Sequence, residues 1–180
     1  MHVPFGIFWL LQRFIFSCIE TGCNFSYTQF VEYECLIKSR KSDTELEIKL
    51  KDKLRKEINK GKFKRFNISI DDLQEIELLE KRKKLGMGEL SSIAFAKKVN
   101  HAFLTDDKTA RTLANAILGE KMVQTTPHLV GYLFYIRILI DSDLSFIISE
   151  HNSSFANQWG RLDVYFNDVY LESMRIRLMI

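Results

Sequence analysis

The sequence predicts an α/β fold in which short strands alternate with helices, closed by a helical C-terminal extension. Three observations predict it. Between Leu85 and Arg111, a Gly86-x-Gly88 turn opens an amphipathic helix at Glu89. After Asn100-His101, the apolar run Ala102-Phe103-Leu104 reads as a strand, and a second helix starts at Thr105-Asp106-Asp107. The same grammar recurs at residues 121–125, a strand followed by Thr126-Pro127 as a helix start. Finally, 180 residues with an apolar share of 46% suffice for one domain with a sizeable core. Acidic groups at a strand's carboxyl end and at helix N-termini stand where open α/β sheets bind ligands. Attraction to the helix dipole, up to about 1 kcal/mol, accounts for one such acid and less comfortably for three.

In chain order, residues 3–19 (VPFGIFWLLQRFIFSCI) read as a buried helix, since it is apolar nearly all round and ends at Thr21-Gly22. Gln12 and Arg13 interrupt it too early for a membrane span, and no basic start or small-residue cleavage site marks a signal peptide. If no strand covers it, part of that surface lies bare, which would promote a homodimer or aggregation. Asn24-Phe25-Ser26-Tyr27 reads as an aromatic-rich strand, and Thr28 as the N-cap of a helix to about Ser39. A charged helix follows from about Ser42, with capping-box spacing to Glu45 and a thin stripe of Leu46, Leu50 and Leu54, stopping near Lys60-Gly61.

Residues 63–68 read as a short strand. Ser69-Ile70-Asp71-Asp72 then starts a helix that carries Leu73, Ile76, Leu78 and Leu79 inward and ends in Glu80-Lys81-Arg82-Lys83-Lys84. Beyond the second strand–helix pair, Thr126 is expected as N-cap and Pro127 as first helical residue of a helix to Ile140, with a further helix over 141–150. Residues 151–160 are polar and turn-rich, a linker between a domain at 1–150 and a tail at 151–180. In that tail Leu162, Tyr165, Phe166, Val169, Met174 and Leu178 share roughly one helical face, which packs on the domain or binds a partner.

Net charge is +3, yet residues 38–84 hold 16 Lys or Arg against 10 Asp or Glu, and the rest 10 against 13. A local basic excess suits a polyanion such as RNA, with a solvated helical face as the plainer reading. Cys18, Cys23 and Cys35 form no C-x-x-C pair and no zinc-like spacing, so they read as reduced thiols and place the protein in the cytoplasm. His101, His128 and His151 lack a nucleophile context, and Gly86-Met87-Gly88 lacks the third glycine of a dinucleotide fingerprint. Asp71-Asp72 read as first-turn helix residues.

Gly86, Gly88, Glu89, Ile93, Ala94, Ala96, Thr105, Asp106, Asp107 and Arg111 together resemble the PIN-domain nucleases, in the branch with a G-x-G-E helix and a strand ending in T/I-D-D. The resemblance spans about residues 27–140, and 30–35 resembles the helix that presents a further Glu, matched by Glu34. It implies a three-layer fold with a central, mainly parallel sheet flanked by helices. PIN domains begin with a strand whose Asp completes the acidic cluster, whereas here no Asp precedes Asp43 and the opening residues resemble the helix after that strand.

Clustered carboxylates hydrolyse phosphodiesters through one or two Mg²⁺ or Mn²⁺ ions, hard cations that take oxygen ligands. The resemblance implies Glu34, Glu89 and Asp107 as catalytic metal ligands, Asp106 as a further ligand or outer partner, and Thr105, Arg111, Lys83 and Lys84 on the substrate side. Arg111 would pair with Asp107 or with substrate phosphate. Acids so gathered repel one another, and their pKa values rise without metal. Two functions follow: a metal-dependent ribonuclease of PIN type, toxin-like with an antitoxin-like protein partner or defence-related, or a catalytically inactive PIN-like module that binds RNA or a protein.

Overall fold

A computed structural model of the chain describes residues 24–38, 45–81, 84–159 and 161–179. The expectations for the N-terminal helix, Cys18, Cys23, the Ser42 cap and the Arg82-Lys83 dipeptide lie outside the described residues. The protein is mixed α/β, mostly helical, and forms two compact units, residues 24–124 and 125–179. Among the described residues no helix is long and apolar enough to cross a membrane.

In the first unit, strand β1 (Phe25–Thr28) runs into helix α1 (Gln29–Glu32). Thr28 belongs to both, its hydroxyl accepting from the Val31 N–H at 3.4 Å as the cap that residue type favours. The helix then widens into a π-turn, Tyr33–Ile37, closed by the Lys38 N–H on the Tyr33 carbonyl at 2.7 Å. Helix α2 (Glu45–Asn59) buries Leu50 and Leu54 as its stripe requires, and packs on the π-turn and strand β2 (Phe63–Phe66). β1 and β2 pair in parallel, Phe25 opposite Phe63 and Thr28 opposite Phe66.

Helix α3 (Ile70–Glu80) starts in a complete capping box, Ser69 and Asp72 each serving the other's backbone N–H. Only part of its expected inner face is inside. Ile76 and Leu79 are buried, whereas Leu73 and Leu78 are exposed. At about 100° per residue, 72, 76 and 79 share a side and 73 and 78 diverge from it.

Helix α4 (Met87–Val99) follows the glycine turn and ends at Asn100 in the left-handed region, φ 53°. Strand β3 (Phe103–Leu104) leads to helix α5 (Lys108–Leu118), capped by Asp107, and strand β4 (Val123–Gln124) pairs in parallel with β3. The four described strands thus form two separate parallel pairs. The core gathers Leu90 and Ile93 of α4, Ile76 and Leu79 of α3, Leu113 of α5, Phe103 and Val123, with Ala94, Ala96, Ala110 and Ala114 allowing close approach of the helices.

The second unit is helical. Helix α6 (Thr126–Tyr135) has Thr125 as its cap and Pro127 at its second position, one residue off expectation, and it stops five residues before Ile140. The chain reverses through Arg137 at φ 64°. Helix α7 (Asp141–Trp159) runs straight through the stretch read as a linker. Its polar residues look like a loop in sequence, but His151 is buried edge-on against Phe166, ring centres 5.8 Å apart, and tertiary contact overrides local preference. Helix α8 (Asp163–Leu178) buries Phe166 and Ser173 and packs along α6, while Tyr165 and Leu178, expected inside, are exposed. Phe134 and Phe166 are wholly buried, worth about 1.5–3 kcal/mol each in apolar transfer.

Candidate acidic site

The first unit gathers carboxylates from three elements. Glu34 rides on the π-turn, Glu89 in the first turn of α4, and Asp107 at the start of α5. The Gly88 N–H donates to Glu34 Oε1 at 3.2 Å, tying the π-turn to the head of α4. One residue on, Glu89 turns back to accept from the Gly86 N–H at 3.3 Å. Asp107 accepts from the Ala110 N–H at 2.7 Å, and its own N–H donates to Thr105 Oγ1 at 3.2 Å. Thr105 is buried, and its N–H on the Gln124 carbonyl (2.9 Å) extends the β3–β4 ladder.

Electrostatics join these acids. Burial raises the Glu89 carboxyl above the usual carboxylate range, the charge of Asp107 adds to it and that of Glu34 adds further, against the Gly86 N–H that favours ionisation. Glu34 Oε2 is buried with no hydrogen-bond partner, a costly state for a carboxylate oxygen. Glu32, two residues earlier, faces elsewhere and pairs with Arg65 at 2.9 Å.

The donor set suits a hard divalent cation, and the orphaned Glu34 oxygen is the kind of atom such an ion would satisfy. The spacing is looser than a metal cage. Among the described residues, no group of three or more His, Cys, Asp or Glu side chains stands close enough to hold an ion. Each of the three acids is instead engaged by a backbone N–H that a cation would have to share.

The remaining expected residues are dispersed. Asp106 is half-buried beside Asp107 and Arg111 half-buried one turn along, with no ion pair between Arg111 and Asp107 among the described residues. Lys84 is exposed, and Lys83 lies outside the described residues. Within the basic segment, Lys49, Arg55, Lys60, Arg65 and Lys81 are held by neighbouring acids, as on a solvated face. Asp72 is structural. Burial pushes its carboxyl up, but hydrogen bonds from Lys98 (2.8 Å) and Ser69, with the Lys98 charge, bring it below the ordinary value.

One supporting contact carries no sequence signal. Thr28 Oγ1 and Ser91 Oγ meet at 2.7 Å, both buried, 63 residues apart, and Ser91 also donates to the Gly88 carbonyl at 3.0 Å. This links the end of β1 to the turn that receives Glu34. No known family, no curated protein and no solved structure matches the chain.

Proposed function

We propose that the chain is a metal-dependent ribonuclease of PIN type, with the described strands and helices belonging to a three-layer PIN-like fold. The supporting observation is the convergence of Glu34, Glu89 and Asp107 from three elements, close enough for Asp107 and Glu34 both to disfavour ionisation of Glu89. Glu34, through its unpartnered Oε2, together with Glu89 and Asp107 would hold Mg²⁺ or Mn²⁺. Asp106 would serve as a further ligand or an outer partner. Such an ion supplies a water of lowered pKa and stabilises charge on the leaving oxygen.

The chain's own groups do the positioning. The Gly86 and Gly88 N–H groups aim Glu89 and Glu34, Thr105 fixes the backbone at Asp107, and Arg111 and Lys84 offer charge to substrate phosphate. A toxin-like role with an antitoxin-like partner, in the cytoplasm, accompanies this reading.

Purified protein with Mn²⁺ or Mg²⁺ should cut single-stranded RNA. Glu89→Gln and Asp107→Asn should each lower the rate by more than the roughly 10–100-fold that even outer-shell partners of a metal carry. Asparagine caps a helix as well as aspartate does, so the second variant removes charge while keeping α5 capped. Cleavage persisting in both variants defeats the proposal.

A second reading is favoured by the looseness of the acidic group: a catalytically inactive PIN-like module that binds RNA or a protein. It requires RNA affinity that is independent of metal and falls with salt, with no cleavage. Loss of that binding on removing Mg²⁺ counts against it.

A further inference from the structure

Helix α8 has a second face that the described residues of its unit leave open. On the inner side Phe166 and Ser173 are buried and Val169 abuts Gly131. At about 100° per residue, the side directly opposite carries Val164, Leu171 and Leu178, seven residues apart. They are 68%, 62% and 89% exposed. Exposed Asp168 and Arg175 stand on the same line, three residues before Leu171 and four after it.

We propose that this stripe is the contact of a homodimer in which two copies of α8 pair antiparallel about a two-fold axis through Leu171. In that register Leu171 meets Leu171 of the second copy and Val164 meets Leu178. Asp168 comes within one residue of facing Arg175, twice over, as a self-complementary interface requires. Parallel pairing would set Asp168 against Asp168 and Arg175 against Arg175, so the charges select the antiparallel arrangement. Arg175 contacts Glu172 on its own helix at 2.8 Å, an exposed pair that shifts at little cost. One helix pair lies below the roughly 1,200 Å² of a standard interface, so association is weak and concentration-dependent.

Sedimentation of the full chain from about 1 µM to about 200 µM spans that affinity range and should show a monomer–dimer equilibrium. Asp168→Arg alone and Arg175→Asp alone should each raise the dimer Kd by about tenfold or more, and the double swap should restore it. Leu171→Glu should abolish the dimer while the thermal transition of the monomer, read at about 1 µM where the parent is monomeric too, stays unchanged. A chain that remains monomeric throughout, or a dimer indifferent to these substitutions, overturns the proposal. So does a monomer that Leu171→Glu destabilises, which would assign the stripe to a segment of the same chain, with residues 3–19 the first to test.

Discussion

Glu89 and Asp72 are both buried acids, and their surroundings push them in opposite directions. Burial and then Asp107 raise the Glu89 carboxyl, so the folded chain holds that proton more tightly than the unfolded chain. The group therefore favours folding below its unfolded pKa of about 4.3, and that contribution disappears as pH rises through the higher folded value. Glu89→Gln should raise the Tm at pH 7, with the gain shrinking toward pH 4. A Tm at pH 7 no higher than that of the parent protein contradicts the electrostatic account. For Asp72 the sign reverses: its lowered value means stability that is present above an unfolded pKa of about 3.9 and lost as pH falls through the folded one. Asp72→Asn should cost about 1.5–3 kcal/mol in urea unfolding at pH 7, the range of a hydrogen bond to a charged group, and less at acid pH.

At the scale of elements, local signals and tertiary packing divide the work. Ser69→Ala removes one half of the α3 capping box and should cost about 1 kcal/mol, measurable as a lower urea midpoint. Gly131 is where α6 and α8 touch: a Cβ there would stand 2.9 Å from Val169 Cβ and 3.2 Å from its carbonyl oxygen. Gly131→Ala should therefore cost about 1–3 kcal/mol by overpacking, with hydrogen exchange speeding up in both helices.

The cap at Thr28 and the helix start at Ser69 are legible in sequence because a cap is decided by residues three apart, whereas the choice of Asp107 over Thr105 and Asp106 as the cap of α5 is not. Nor is the interior of α7. Asn152, Ser153 and their neighbours have loop-like composition, and the contact of His151 with Phe166 and the bond from the Asn152 amide to Asp163 (2.8 Å) help hold that stretch. Leu73 and Leu78 were misplaced for a related reason. Four apolar residues within seven positions cannot all share one helical side, and the packing of α3 on α4 chose Ile76 and Leu79.

For the molecule as a whole, two cores and an uneven charge distribution set the expectations. Phe166→Ala should cost about 3–5 kcal/mol, seen as faster exchange through residues 125–179. If the basic excess of residues 38–84 meets RNA, log affinity should fall linearly with log salt by about 0.7 per phosphate contacted. A flat response would leave those cations as the solvated face their ion pairs describe.

Glu89 and the Asp106-Asp107 doublet stand out in sequence through glycine spacing and the paired acids, whereas Glu34 comes only from the family resemblance. The Gly86 amide on Glu89 is a local contact three residues apart, but the Gly88 amide on Glu34 and the Thr28–Ser91 tether arise only when segments 54 and 63 residues apart meet. The wide turn at Tyr33–Ile37 adds a constraint on how this protein tolerates change. An α-helix advances about 100° per residue, so losing any one of the residues there other than Glu34 would let the coil tighten to regular pitch and swing the Glu34 carboxylate about a quarter-turn from the Gly88 amide. Point substitutions along this segment are then a matter of fit, whereas a single-codon deletion removes the aim of a side chain whose identity it leaves untouched.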